Sequence, residues 1–534
     1  MRDNMIRVDE EARKEHSRDA SLFEILPKAV AFPRNAKEVC DLVNHAREQA
    51  RDGVSLTCWS GGTDMAGGPL GESVVVDMTG LNAIVEVGND SAVVQPGVFY
   101  RDFEKETLKK GIFLPSYPAS REICTVGGMV ANNAGGEKNL AYGKTERHVR
   151  ALEVVLADGK THRLKKLSAD ELAVTMREEG FEGDVYRKTY RLLEDNFNLI
   201  KSRRPNVSKN SAGYALWNVW DRKHFDLAQL FVGSQGTLGI ITEITVALVR
   251  PKTHSAMVVL FLNDLKRLPG VIEAVLKEGP ESFESYDDHT LKLALRFFPD
   301  FAKVLGARGI VSLGVRFLPE FWMMITKGAP KLVLLAEFTG GSSEEAVGKA
   351  ERALGEAKAL GIGGRLEATK AGREKYFAIR RESFNILRHH LKNLRTAPFI
   401  DDIIVRPELL AEFLPKLEAI LACYPKLVYT IAGHAGDGNF HIIPLVDPKD
   451  PSLPKTIEEL SRAVYGLVLE YGGSITAEHN DGLIRTPFLE QMYGSEMVGL
   501  FREIKRIFDP NGIFNPNKKV DGTLSYALSH LRKD

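Results

Sequence analysis

The stretch Gly433-His434-Ala435-Gly436-Asp437-Gly438-Asn439-Phe440-His441 constrains this chain more than any other. Residues 427–431 and 442–446 on either side are apolar and read as buried strands. Gly436-Asp437-Gly438-Asn439 between them is turn chemistry that tolerates positive φ. A hairpin here brings the imidazoles of His434 and His441 face to face near the turn. Neutral imidazoles so placed can hold zinc, iron or another first-row ion. The same hairpin can also carry two histidines that merely donate to nearby carbonyls, and the stretch alone leaves both readings open. A second stretch, residues 472–482, favours the metal. It sets Glu478 and His479 side by side after a short apolar strand. One of the two can be a ligand and the other a proton acceptor. Two histidines and one carboxylate leave coordination positions open for a substrate.

At 534 residues the chain is too long for a single core, so two or three domains are expected. Lys plus Arg (71) equals Asp plus Glu (71), and no net field favours nucleic acid or an anionic membrane. There is no basic stripe with interleaved aromatics either, so no nucleic-acid partner is expected. Cys40, Cys58, Cys124 and Cys423 form no pair at metal or redox spacing. That argues against a disulfide framework or an iron–sulfur cluster, and for a reducing, cytoplasmic setting. The charged segment 1–15 has no apolar centre and is not a secretory signal. No apolar run reaches membrane-spanning length; the nearest, 310–335, is broken by Arg316, Glu320, Lys327 and Lys331. Within it Phe321-Trp322-Met323-Met324 is a candidate for peripheral membrane or partner contact, with core packing the plainer fate.

Residues 1–28 read as helical, polar and peripheral. A strand at 29–33 leads to a helix over 36–49 capped by Asn35. A strand at 56–59 then enters the glycine-rich loop 59–68, which lets backbone N–H groups approach a phosphate. It is neither a Walker A loop nor a GxGxxG turn. Strands follow at 74–78, 84–87 and 92–95, then a helix over 99–110. A second small-residue stretch, 125–136, allows something large and flat to lie against the backbone, with Asn132 and Asn133 offering amide groups. Residues 149–156 and 161–164 form a hairpin turning at Asp158-Gly159. A third loop, 233–242, leads into a strand over 244–249. Three such loops suggest an extended ligand carrying a pyrophosphate. Beyond Pro251, strands at 256–262 and 331–338 alternate with a helix at 343–360. Residues 361–364 read as a loop, 373–393 as a helix carrying Arg380, Arg381, Arg388, His389 and His390, and 398–405 as a strand.

With Pro115-Ser116-Tyr117-Pro118 ahead of the second loop, these glycine-rich stretches resemble the FAD-binding domain of the vanillyl-alcohol-oxidase-type flavoproteins. The HxGDGNxH stretch and the Glu478-His479 pair resemble the D-2-hydroxyacid dehydrogenase branch, which includes D-lactate, glycolate and D-2-hydroxyglutarate dehydrogenases. The ending, residues 508–516, is similar to that family's C-terminal signature. The resemblance implies an α+β chain. Its parts would be a two-subdomain FAD-binding domain (1–252), an α/β cap domain on an antiparallel sheet carrying the metal site (253–480), and a C-terminal segment returning to the flavin (481–534).

It also implies roles for single residues. FAD would be held non-covalently, there being no histidine in the first loop. Trp59, Ser60, Gly61, Gly62, Thr63, Asp64, Gly67 and Gly68 would bind it from the first loop. Pro118, Thr125, Gly127, Gly128, Ala131, Asn132, Asn133 and Gly136 would do so from the second. Gly236, Gly239, Ile240 and Ile241 would contribute from the third, and Asn515 from the C-terminal segment. Arg380 would hold a substrate carboxylate, which an arginine fork does better than a lysine point charge. His434, His441 and Glu478 would hold a divalent zinc, iron or manganese ion, with His479 as general base. Asp64, Gln235 and Asn480 stand where relatives usually carry Gly, Glu and Gly. Phe399 and Ile400 lie where many hydroxyglutarate-type relatives carry a lysine. The implied activity is therefore oxidation of a small, D-lactate-like 2-hydroxy acid to its 2-oxo acid. Electrons would leave to a separate iron–sulfur subunit, an electron-transfer flavoprotein or a quinone, with association at a membrane one of the settings. Three alternatives stand beside it: a metal-dependent hydrolase whose loops are only structural, a non-redox FAD scaffold, and a flavin-dependent synthase of the alkyl-glycerone-phosphate type.

Overall fold

A computed structural model describes residues 5–296, 328–390 and 394–533. The stretch 321–324 and the side chains of Arg388, His389 and His390 lie outside the described residues. Three sheets organise the rest. The first has the order Ile6–Arg7, Ala29–Ala31, Val74–Asp77, Leu56–Trp59. Its last three strands are parallel, so their connections must cross over, and the helix Ala36–Glu48 makes the first crossing. Asn35 caps that helix by accepting from Glu38 N–H at 3.0 Å. Val39, Leu42, Val43 and Ala46 make its buried stripe, which packs with Val76, Val155 and Phe514. The glycine-rich loop 60–68 leaves the carboxyl end of Leu56–Trp59, where open parallel sheets place their ligands.

The second sheet is antiparallel, in the order Ile84–Val87, Ser91–Val94, Ile240–Ala247, Val149–Val155, Thr161–Ser168, His224–Asp226. Ile240–Ala247 is central in it, so Ile240 and Ile241 already belong to a strand rather than to the third loop. The third sheet is antiparallel as well. Its order is Gly363–Glu367, His254–Leu262, Leu332–Gly340, Ser282–Asp287, Val428–His434, Asn439–Val446, Arg395–Thr396, and Ile403–Ile404 also pairs with Asn439–Val446. The helices Leu268–Lys277, Ser343–Ala359 and Leu410–Ala422 cover it with their apolar faces. The chain is thus α+β, with a glycine-loop part and an antiparallel-sheet part. No helix among the described residues is long and apolar enough to cross a membrane.

Several expectations from the sequence need correction. Only Glu10–Glu15 of the first 28 residues is helical. Leu22, Phe23 and Ile25 are buried, because Phe23 bridges Leu531 and this stretch packs beside the first loop. Gly363–Glu367 is an edge strand, not a loop. Residues 398–402 are irregular, with Asp402 at φ 67°, so only Ile403–Ile404 pairs as a strand there. Residues 475–481 likewise form no strand, since the ladder ends at a single bridge between Ile404 and Ser474. Near the end of the chain, residues 514–515 run beside the strand Leu56–Trp59. Phe514 bridges Leu56 in parallel, and Asn515 N–H donates to the Leu56 carbonyl at 2.8 Å.

One half-buried ion cluster ties the second sheet to the helix Phe181–Asp195. His162 Nδ1 lies 3.0 Å from Glu182 and its Nε2 3.1 Å from Asp158. Burial alone would lower the imidazole; the bonds to Asp158 and Glu182 outweigh it and raise it to about 9. A raised imidazole stabilises the fold fully below its unfolded value, about 6.5, and loses that contribution as pH climbs through the folded value. Thermal melts of the wild type and His162→Gln should therefore differ most near pH 6 and converge by about pH 10. A gap that stays constant with pH would show that the ring acts by shape alone.

Candidate functional site

The two strands Val428–His434 and Asn439–Val446 pair with Ala432 opposite His441 and His434 opposite Asn439. His434 and His441 are therefore diagonal neighbours on one face, their rings nearly perpendicular with centroids 5.3 Å apart. The irregular segment 476–480 brings Glu478 in beneath them. Its Oε1 is 3.1 Å from His434 Nε2 and 3.3 Å from His441 Nε2. The remote nitrogens are backed by carboxylates, His434 Nδ1 by Glu284 at 2.7 Å and His441 Nδ1 by Asp401 at 3.1 Å. This is the outer shell that fixes a ligating histidine's tautomer.

Proton bookkeeping favours a cation at this centre. A neutral imidazole has one N–H to give. Both rings have a carboxylate oxygen within 3.3 Å of each nitrogen, more than the single N–H of a neutral ring can serve. His434, His441 and Glu478 could hold a divalent ion with both rings neutral, and the ion would supply the charge that the carboxylates face. Asp402, His441, Glu478 and His479 also lie close enough to offer donor atoms within 4.8 Å of one another. Asp402 is already spent: its Oδ2 accepts from Thr476 Oγ1 at 2.6 Å, Glu478 N–H at 2.8 Å and His479 N–H at 2.7 Å. Three donors converge here that could hold a cation, His434, His441 and Glu478, and His479 Nε2, free among the described residues, lies beside them.

The surrounding charges act in one direction. Burial would raise the Glu478 carboxyl, but Lys209 and the two imidazoles hold it well below its usual range. Lys209 is buried, 3.1 Å from Asp437 and 3.4 Å from Glu478, and these charges overcome burial to raise its ammonium. Burial works to raise Asp401 too; His479 and His441 outweigh it and keep the carboxyl low. Without a cation, burial lowers His441 but Asp401 and Glu478 prevail and lift it to about 10. His479 stacks on His441 with centroids 4.9 Å apart, and its Nδ1 is 2.6 Å from Asp401 Oδ2. Burial again opposes, and Asp401 and Asp402 raise it. Arg380, from the helix Lys370–His390, pairs with Glu284 Oε2, while its buried Nε has no hydrogen-bond partner among the described residues.

One cavity of about 1190 Å³ joins this centre to the glycine-rich loops. Arg380, His434, His441, Glu478 and His479 line one end. Trp59, Ser60, Gly62, Thr63, Asp64 and Gly68 line it from the first loop, and Pro118, Gly127, Gly128, Ala131, Asn132 and Gly136 from the second. Gly236, Gly239 and Ile241 do so from the third. At Gly127 a Cβ would stand 2.4 Å from Pro96 Cβ, so only glycine lets the second loop close on its neighbour. Six expected cofactor residues stand behind the wall instead. Gly61 packs under the Ile123 carbonyl, Gly67 turns at φ 82°, and Ile240 is in the core. Thr125 caps the helix Val126–Asn132 through Gly128 N–H, and Asn133 ends it at φ 49°. Asn515 Nδ2 donates to the carbonyls of Gly68 (2.9 Å) and Gln235 (2.6 Å), clamping the first loop to the third.

The three unusual residues of the loops and the centre form one network. Gln235 Nε2 donates to Asp64 Oδ2 at 3.3 Å and to Asn132 Oδ1 at 3.1 Å. Asn480 Nδ2 donates to the Asn132 carbonyl at 3.1 Å and the Gly233 carbonyl at 2.9 Å. Asp64 Oδ1 accepts from the N–H groups of Ala66 and Gly68, so the first loop folds around its own carboxylate. Burial raises that carboxyl despite these bonds. Phe399 and Ile400 are fully buried in the core and present nothing to the cavity.

Sequence reasoning missed Lys209, Glu284, Asp401 and Asp402. The acid within the otherwise packed strand Ser282–Asp287, and the adjacent acids between apolar residues at 401–402, were the available signals. Lys209 sits in a polar loop that carries none.

Residues 27–165 match a family model described as FAD binding domain, and residues 251–519 match one described as FAD linked oxidases, C-terminal domain. A D-2-hydroxyglutarate dehydrogenase of Pseudomonas putida is 27% identical over 523 residues, 96% of this chain and 50% of that protein. The glycolate oxidase subunit GlcD of Bacillus subtilis is 29% identical, over 93% of this chain and 89% of the relative. The chain thus spans about half the length of the hydroxyglutarate dehydrogenase. A solved alkyldihydroxyacetonephosphate synthase shares the fold, with a TM-score of 0.66 at 16% identity, covering 97% of this chain and 83% of the other.

With FAD as the cofactor of these loops, Asn515→Ala gives a direct test of the clamp. It would strip two buried carbonyls of their donor, at about 1–3 kcal/mol each. Flavin retention on dilution, followed by fluorescence, should weaken at least tenfold while far-ultraviolet dichroism stays native. Unchanged retention would show that the loops hold their shape without it. The match over 251–519 takes in half of the sequence, and the chain belongs to the FAD-linked oxidases.

Proposed function

We propose that this flavoprotein oxidises a small D-2-hydroxy acid, of the size of D-lactate, to the corresponding 2-oxo acid. The observation that carries the reading is the single cavity whose walls hold both the flavin loops and the His434–His441–Glu478 centre. In this reading residues 1–252 and 481–534 enclose the flavin, and 253–480 supplies the substrate end.

Each polar group of a 2-hydroxy acid has a counterpart here. Arg380 offers its guanidinium to the carboxylate; its buried Nε has no hydrogen-bond partner among the described residues, and Glu284 holds the other end of the fork. His434, His441 and Glu478 would hold the cation beside the 2-hydroxyl. When bound, the cation supplies Lewis-acid polarisation and the flavin supplies the acceptor for the α-hydrogen with its electron pair. His479 takes the hydroxyl proton. Asp401 at its Nδ1 leaves Nε2 as the free base and stabilises the imidazolium that forms. Ala432 and Ile443, on the strands that bear the two histidines, give the cavity an apolar wall suited to a short side chain. The acceptor that drains the flavin is a separate iron–sulfur subunit, an electron-transfer flavoprotein or a quinone.

Anaerobic mixing with D-lactate, glycolate or D-2-hydroxyglutarate should bleach the visible flavin absorbance, with D-lactate fastest. If none of them bleaches it, the reading falls. A chelator should abolish the bleaching and a divalent ion restore it. His479→Ala should lower the rate of bleaching by about a hundred- to ten-thousand-fold with KM little changed. Arg380→Lys should instead raise KM about ten- to a hundredfold, the worth of a charge-assisted hydrogen bond.

A further inference from the structure

We infer that Glu284 is a positioning residue that joins the two halves of the site, fixing the metal ligand His434 with one oxygen and the substrate arginine Arg380 with the other. The inference rests on the reading just given, in which those two residues hold cation and carboxylate.

The backbone puts it there. Strand Ser282–Asp287 runs antiparallel to Val428–His434 with Tyr286 opposite Ala432 and Ser285 opposite Gly433. The next pair along the ladder sets Glu284 across from His434. Side chains directly opposite on an antiparallel ladder are in contact range. Oε1 lies 2.7 Å from His434 Nδ1, and Oε2 pairs with Arg380 Nη2. The Glu284 side chain is 1% exposed, so no water replaces either partner. A buried carboxylate with one oxygen hydrogen-bonded to His434 and the other in an ion pair with Arg380 has little freedom to turn. It holds His434 as the Nδ1–H tautomer, with the Nε2 lone pair toward Glu478, and it stations the arginine fork at the cavity wall.

An amide in its place cannot do both. If the oxygen of a Glu284→Gln side chain accepts from His434, its NH2 points at the donors of Arg380. If it turns over, the NH2 confronts Nδ1 and drives the ring to the tautomer whose Nε2 cannot bind a cation. The shared carboxylate also links the two ligands. Removing Arg380 leaves the whole Glu284 charge to His434, which makes that ring a better ligand. Arg380 thus changes cation affinity without being a ligand, and only while Glu284 is present.

The experiment is titration of chelator-stripped, flavin-loaded protein with zinc, with KM for D-lactate measured in parallel. It uses the wild type, Glu284→Gln, Arg380→Ala and the double variant. Expected are a cation affinity about ten- to a hundredfold weaker in Glu284→Gln, with KM raised as well. Arg380→Ala should bind zinc at least threefold tighter than the wild type, and the double variant should bind like Glu284→Gln. The inference is overturned if Arg380→Ala leaves zinc affinity unchanged, or shifts it equally with and without Glu284. That result leaves the proposed activity standing. A wild type that binds no zinc, manganese or iron sinks the metal-assisted reading itself, and this inference with it. A merely structural Glu284 would lower the melting temperature and flavin content without any dependence on Arg380. Should Glu284→Gln fail to fold, the Arg380→Ala titration still decides, because loss of the tightening overturns the link.

Discussion

One carboxylate oxygen determines whether this chain has a centre at all. Asp402 Oδ2 receives the backbone N–H groups of Glu478 and His479 and the hydroxyl of Thr476. The segment 475–481 belongs to no sheet and no helix, so it has no ladder to place it. Three charge-assisted bonds, each worth about 1.5–3 kcal/mol, do what a strand would otherwise do. They can converge only because Asp402 takes a left-handed backbone, φ 67°, a conformation aspartate tolerates better than most side chains. The same turn sends the neighbouring Asp401 the other way, onto His441 and His479. Two adjacent acids thus serve opposite purposes, one shaping the backbone and the other orienting imidazoles. Arg485 locks the arrangement from beneath by donating to the carbonyls of Asn480 and Asp401.

The flavin end is tied to this centre by polar contacts as well as by the shared apolar core. Asn132 lies on the cavity wall, accepts from Gln235 through its side chain and from Asn480 through its carbonyl, and reaches the His479 carbonyl at 3.4 Å. Gln235 also accepts from Gly482 N–H, one residue past the pinned segment's end. A change in the first or third loop therefore reaches the backbone that carries His479 through two hydrogen bonds. Buried networks of this kind are rigid when complete and costly when broken. In a site proposed to hold a substrate carbon against a flavin ring, rigidity has a direct use, since misplacement by about 1 Å can cost a hundredfold in rate.

What the sequence shows of this is uneven, and the reason is physical. The hairpin around His434 and His441 is legible because strand and turn chemistry are local. The three loops are legible because close backbone approach to a ligand demands small residues. Glu284, Asp401 and Lys209 are not, because their roles come from partners 150, 40 and 269 positions away. Nothing nearby in sequence marks a buried acid as an outer-shell group. The Asp402 turn hides for a related reason. Pro398-Phe399-Ile400 and Ile403-Ile404-Val405 read as one apolar strand, and only the tertiary demand for two carboxylates at 401–402 breaks it. The assignment of Arg380 was reached by family likeness alone; the structure adds that the same arginine is held by the acid that also faces a histidine of the centre.

The cluster is best understood as a cage of buried charges that could hold a cation. Glu284, Asp401 and Glu478 are buried within reach of each other's partners, and Lys209 and Arg380 supply two of the positive charges they need. The remainder can come from protons on the imidazoles, His479 among them, or from a bound ion. Protons can neutralise the acids, but they occupy the Nε2 atoms and leave no position for a substrate oxygen. A divalent ion neutralises the same acids, keeps both rings neutral and retains open coordination sites. The cost of burying carboxylates far from water is high unless paired. Buried carboxylates placed around two histidines therefore make a setting in which a cation could be held, and the outer carboxylates shape it as much as the donors do.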